Sequence, residues 1–162
     1  MSDRRLTIQT TVNGRAVTLR TPPETLLLDA LREELGLTGS KRSCDVQVCG
    51  ACTVLLDGLP VSACSVLAYE ARGRAVLTIE GLAEGDRLHP VQDAFLAQRA
   101  FQCGFCTPGM ILAVVALLGE APDATREEAR EFLRGNICRC TGYVSILDAV
   151  TTAQRGRGGG AE

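Results

Sequence analysis

The chain carries eight cysteines, and they fall into two groups of four. Cys44, Cys49, Cys52 and Cys64 have the spacing C-x4-C-x2-C-x11-C. Cys103, Cys106, Cys138 and Cys140 have the spacing C-x2-C-x31-C-x-C, with no cysteine between 64 and 103. Three thiols within residues 44 to 52 cannot converge from a regular helix or strand. They need an irregular loop wrapped round a compact object, with Cys64 brought back by a hairpin. Each quartet therefore asks for its own scaffold, and the chain divides into two halves.

The compartment decides what the thiols do. Arg4-Arg5 is not followed by an apolar stretch; Leu6, Ile8 and Val12 instead punctuate polar residues, which is a strand pattern and not an export signal. The longest apolar run, Met110 to Leu118, is too short to span a bilayer and fits a buried helix. The expectation is a cytoplasmic protein without a membrane span, whose thiols stay reduced and serve as metal ligands rather than disulfides. With 17 basic and 19 acidic residues the net charge is −2, which excludes nucleic-acid binding driven by bulk charge. The single histidine, His89, excludes sites built on two histidines.

The first half reads as strands and one helix. Leu6 to Val12 and Arg15 to Leu19 flank Asn13-Gly14, a hairpin turn. Thr53 to Leu56 and Leu59 to Ala63 flank Asp57-Gly58, and Ala75 to Ile79 is a last strand. Thr25 is placed to cap a helix running through Leu35 and stopped by Gly36. The second half reads as four helices. His89-Pro90 opens one through about Gln98, and Thr107-Pro108 another to about Leu118. Thr125 with Glu128 forms a capping box for a third, to about Arg134, and the fourth runs from Tyr143 to about Ala153. The expected class is α+β: a β-grasp domain over residues 1–80, a four-helix domain over 81–154, and a disordered Gly/Arg tail over 155–162.

The first spacing is that of plant-type [2Fe–2S] loops. Gly50 and Ala51, between two ligands, let backbone N–H groups approach the sulfurs. In the second quartet each ligand pair precedes an expected helix start, where unpaired N–H groups favour an anion. Zinc is the alternative, but zinc ribbons use paired C-x2-C knuckles at shorter separations. Other candidates read as ordinary. His89 suits a helix cap, and Glu24, Glu33 and Glu34 suit a solvated helix face. Arg139 is an exposed arginine or a contact that tunes a cluster. No Ser/His/Asp set or phosphate loop can be assembled.

Cys49-Gly-Ala-Cys-Thr-Val54, followed by Leu-Leu-Asp-Gly58 and Cys64, resembles the first iron–sulfur segment of the molybdenum hydroxylases. Gln102-Cys-Gly-Phe-Cys-Thr-Pro-Gly-Met110 and Gly135-Asn-Ile-Cys-Arg-Cys-Thr-Gly-Tyr143 resemble the second. The resemblance spans about residues 5 to 153. One departure is Asp45-Val-Gln-Val48, where many members carry glycines and where the carbon monoxide dehydrogenase small subunits tend to start Cys-Asp. The resemblance implies the small subunit of a heteromeric oxidoreductase, of carbon monoxide dehydrogenase, aldehyde or aromatic-heterocycle hydroxylase type. It would relay electrons from molybdopterin-bound molybdenum on a large subunit, through two [2Fe–2S] clusters, to FAD on a medium subunit or to an outside acceptor. It also implies that Gln102 and Cys140 contact the pterin. A free two-cluster ferredoxin and a zinc-binding interaction module are the competing readings. No residues for substrate chemistry are found on this chain.

Overall fold

A computed structural model describes residues 5–158. Strands β1 (Leu6–Val12) and β2 (Arg15–Thr21) pair antiparallel in the register Val12↔Arg15. Asn13 and Gly14 both have positive φ, 51° and 75°, the turn that two-residue hairpins require. Asp57 and Gly58, at 50° and 82°, do the same between β3 (Thr53–Leu56) and β4 (Leu59–Ser62). Asp57 also accepts from Ala75 N at 2.8 Å and Arg74 Nε at 2.6 Å, which ties this turn to β5 (Ala75–Leu77). The five strands form one sheet in the order β2-β1-β5-β3-β4, with β1 and β5 parallel.

Helix α1 (Leu27–Asp29) passes directly into a wider π-helical turn, Ala30–Glu34. It starts later than expected, and Thr25 is not its cap. Leu26 occupies that position in extended conformation, because it bridges Leu67 while Leu27 N donates to Val66 O at 2.7 Å. A tertiary pairing has overridden a local capping signal. The π turn lets Leu35 N reach Ala30 O, and Gly36, at φ 67°, ends the helix as anticipated.

Beyond the sheet come α2 (Pro90–Ala97), α3 (Thr107–Glu120), α4 (Arg126–Phe132) and α5 (Val144–Gly158). His89 caps α2 through Nδ1, which accepts from Val91 N at 3.2 Å. Thr125 and Glu128 form the expected capping box on α4, with Thr125 N donating to Glu128 Oε2 at 2.7 Å. Residues 155–158 of the expected tail continue α5. Gln154 anchors this end by donating to Ala124 O at 2.7 Å, and Arg155 suits the negative end of the helix dipole. Residues 159–162 of the expected tail lie outside the described residues.

Strand β3 joins the two halves. Its four residues are all buried. Val54 and Leu56 pack with Leu27 and Leu28 of α1 and Leu31 of the π turn, whereas Leu55 packs with the apolar face of α3. The period of two along a strand puts one residue into each core. The Met110–Leu118 run is core, as its composition requires. Helix α3 approaches the sheet so closely that a Cβ on Gly109 would lie 2.3 Å from Gly50 O. Among the described residues no helix is long and apolar enough to cross a membrane.

Candidate metal centres

The first quartet lies on the loop between α1 and β3, and on the turn after β4. Cys44 Sγ accepts from the backbone N–H groups of Val48 and Cys49, each at 3.4 Å. The N–H of Val46, then those of Val48 and Cys49, lower this thiol to about 6. A thiolate is therefore favoured here before any metal arrives. Cys52 lies beside Cys64, and burial first, with Cys64 adding to it, pushes Cys52 up to about 11. The loop is bent by three positive φ angles, Asp45 at 54°, Gln47 at 58° and Gly50 at 66°. Two fall in the segment that departs from the glycine-bearing pattern. Asp45 tolerates that conformation better than most residues and is pinned by Arg42 at 2.7 Å; Arg42 in turn grips Asp29 of α1.

The second quartet lies between α2 and α3, and between α4 and α5. Cys106 is the N-cap of α3, so the expected helix start is present there. Cys103 and Cys140 are exposed, with their sulfurs 3.6 Å apart. Cys138 is buried and lies against Cys106. Burial, then the neighbouring Cys138, pushes the Cys106 thiol up to about 12. Burial also opposes ionisation of Cys138, but hydrogen bonds from the Thr141 hydroxyl and amide and from the Cys140 amide outweigh it and hold this thiol low. Cys140 is raised by the Cys103 thiol beside it.

The expectation that Cys138 and Cys140 sit directly on a helix start needs correcting. Helix α5 begins at Val144, and Tyr143 turns the chain with φ 69°. The donors to Cys138 Sγ come instead from Thr141, Oγ1 at 3.1 Å and N at 3.4 Å. Tyr143 holds this bend: its hydroxyl accepts from Cys138 N at 2.8 Å and donates to Asn136 O at 3.1 Å. Gln102 is brought to Cys140, donating Nε2 to its carbonyl at 3.1 Å. Arg139 is exposed.

Sequence reasoning missed the seam between the two centres. Asn136 is buried, and its Nδ2 lies 3.1 Å from Gly50 O, 3.1 Å from Thr53 Oγ1 and 3.3 Å from Gly109 O. Ile137 N donates to Cys49 O at 2.8 Å. One main-chain hydrogen bond thus links a cysteine of the first quartet to the residue preceding Cys138 of the second. Gly50 has no room for a side chain, since a Cβ would lie 2.4 Å from Gly135 O. A lone asparagine in an irregular segment has no spacing signature that would have revealed this role.

The donor set suits [2Fe–2S] clusters. Two thiolates on one tetrahedral ion at ~2.3 Å stand about 3.8 Å apart, close to the Cys103–Cys140 separation. The second quartet resolves into two pairs, Cys103 with Cys140 and Cys106 with Cys138. Two pairs are what a binuclear cluster takes. Backbone and hydroxyl donors aimed at Cys44 and Cys138 provide for the negative charge such a cluster carries.

Comparison with known proteins agrees. Residues 10–78 match the 2Fe-2S iron-sulfur cluster binding domain, and residues 78–151 match a second family, the [2Fe-2S] binding domain. The fold and the two thiol sets thus define a two-cluster iron–sulfur protein. The chain is 47% identical over 149 residues to the nicotinate dehydrogenase small FeS subunit of Eubacterium barkeri, covering 92% of this chain and 95% of that one. It is 44% identical to the xanthine dehydrogenase iron-sulfur-binding subunit of Escherichia coli O157:H7, covering 93% and 95%. Among solved structures it superposes on a chain of quinoline 2-oxidoreductase from Pseudomonas putida 86 with a TM-score of 0.91 and 44% identity, over 98% of this chain and 99% of that one. Aldehyde oxidoreductase from Desulfovibrio gigas gives the same TM-score at 42% identity, but 95% of this chain there matches only 17% of a far longer one. The chain belongs to the small iron–sulfur subunits of the molybdenum hydroxylase family.

Proposed function

We propose that the chain carries electrons from a molybdopterin site on a large partner subunit, through two [2Fe–2S] clusters, to FAD on a medium subunit or to an external acceptor. Cys103, Cys106, Cys138 and Cys140 hold the cluster that receives the electron. Cys44, Cys49, Cys52 and Cys64 hold the cluster that passes it on. The layout is a β-grasp ferredoxin domain followed by a four-helix domain, dividing near residue 80, in a reducing compartment such as the cytoplasm. Gln102 and Cys140 form the contact with the pterin, an assignment supported by their hydrogen bond and by the exposure of Cys140.

The observation that carries this reading is the Cys49 O to Ile137 N hydrogen bond. It makes a short through-bond route between the quartets, ending at Cys138. An exposed apolar surface beside the second quartet supports a partner there. Phe101, Phe105, Ile137 and Val144, each within four residues of a cysteine of this quartet, are exposed, and Phe101 also lines a cleft of about 370 Å3 with Phe95, Leu96, Pro108 and Ile111. A free carrier would gain nothing from apolar residues around its second cluster, and large exposed apolar patches mark interfaces.

The test is purification of the native protein with metal and sulfide analysis. The relay predicts iron and acid-labile sulfide near four atoms each per chain, two distinct paramagnetic signals after reduction, and co-purification with a molybdenum-containing chain. A colourless zinc protein would support the interaction-module reading. Elution alone, with the cell's hydroxylase activity surviving deletion of the gene, would support a free ferredoxin.

A further inference from the structure

The two ends of the second quartet differ in chemistry. Cys103 and Cys140 form an exposed end, whereas Cys106 and Cys138 form an inner one. Only at the inner end, among the described residues of this quartet, does a hydroxyl point at a sulfur: Thr141 Oγ1 lies 3.1 Å from Cys138 Sγ, and Thr141 N lies 3.4 Å away. The direction of that hydroxyl is set by its other contact. Tyr143 N donates to Thr141 Oγ1 at 3.3 Å, which occupies a lone pair and leaves the O–H proton for the sulfur. The inner end is also the one joined to the first quartet, through Ile137 and Cys49.

We propose that Thr141 is a positioning residue that localises the transferred electron at the Cys106/Cys138 end of the second cluster, facing the first cluster, and raises that cluster's reduction potential. The inference rests on the relay reading above. One electron arrives from the reduced molybdenum centre, or from dithionite in the test; one ferric ion becomes ferrous and no bond forms or breaks. The added negative charge spreads onto the sulfurs of the iron that takes it, and donors aimed at those sulfurs stabilise it. Hydrogen bonds to an ionised acceptor are stronger than neutral ones, so the reduced state gains more than the oxidised state.

The test uses the full chain with both clusters loaded, titrated potentiometrically and followed by paramagnetic resonance. Thr141→Val keeps the shape and the backbone amide but removes the hydroxyl. The second-cluster ratio of reduced to oxidised forms at a fixed potential is expected to fall about tenfold, equivalent to about 59 mV for one electron. The first cluster should be unmoved, and Thr141→Ser should keep the original value. A fully loaded Thr141→Val protein with an unshifted second-cluster potential would overturn the proposal. A second measurement needs no variant: in the reduced wild-type protein, ferric-side and ferrous-side cysteine β-protons differ in the sign of their temperature dependence in nuclear resonance. Cys106 and Cys138 are expected on the ferrous side, and finding Cys103 and Cys140 there refutes the assignment. A chain that binds no iron at all fails the relay reading instead, so the two failures are distinguishable.

Discussion

Replacing Asn136 by aspartate exchanges an amide for a carboxylate of nearly the same shape, in a recess that presents only acceptors to Nδ2. Gly50 O, Thr53 Oγ1 and Gly109 O surround it at 3.1, 3.1 and 3.3 Å. Two amide hydrogens serve those three oxygens, so Asn136→Ala removes two buried hydrogen bonds at about 0.5–1.5 kcal/mol each. The small void left behind adds to this, for a total of about 2–4 kcal/mol. Asn136→Asp leaves no void, but it sets a carboxylate, which cannot donate when ionised, against the same oxygens. The expected order of stability is therefore wild type, then alanine, then aspartate. Denaturant unfolding of the loaded chain at neutral pH, followed by the visible absorption of the clusters, measures it. The geometry also predicts that acid narrows the gap between the two variants. The introduced carboxyl has a raised pKa, so its penalty is present above that value and is relieved as pH falls through it and the group regains a proton to donate. If aspartate matches wild type at neutral pH, Asn136 is only filling space and the seam is not held by its amide.

Gln47 adopts φ 58° in the first loop, so Gln47→Gly is expected to stabilise the loaded chain by about 1 kcal/mol, read as a higher thermal midpoint. Thr125→Ala removes the α4 cap and is expected to cost about 1 kcal/mol in the same assay. Glu128 is held below the usual carboxylate range by the Thr125 N–H and then its hydroxyl; its contribution is present above the ordinary carboxylate pKa and is lost as pH falls through the lowered one. The stability difference between wild type and Glu128→Gln should accordingly shrink as the carboxyl is protonated in acid, and a difference independent of pH would count against the cap. Cys140→Ser is expected to alter the paramagnetic signal of the second cluster and leave that of the first unchanged, with substrate-driven reduction slowed in the assembled enzyme.

Local signals were legible where they act alone. Asn13-Gly14 and Asp57-Gly58 gave both hairpins, because positive φ at two successive positions restricts the residue types. Pro90, Pro108 and the Thr125–Glu128 pair gave three helix starts for similar reasons. Thr25 misled because Leu26 is claimed by a bridge to Leu67, a contact distant in sequence that no local pattern reports. The mixed sheet was legible from the order of strands and helix, and the parallel pairing of β1 with β5 supplies its mixed character. At the candidate centres, cysteine spacing announced two thiol sets, and the structure brings Gln102 to Cys140. The spacing could not announce Thr141 as the donor to Cys138, since that depends on Tyr143 turning the chain before α5 rather than within it.

The seam that holds the two centres together is made almost wholly of main chain. Cys49 O, Gly50 O, Gly109 O and Ile137 N are peptide atoms, and the Asn136 carboxamide and the Thr53 hydroxyl complete the set. Electron tunnelling decays exponentially with distance, so the rate between clusters depends on a length that surface side chains do not set. Substitutions on the outer faces of this chain leave that length unchanged. Substitution there is free to reshape the surface, while the internal hop keeps its span.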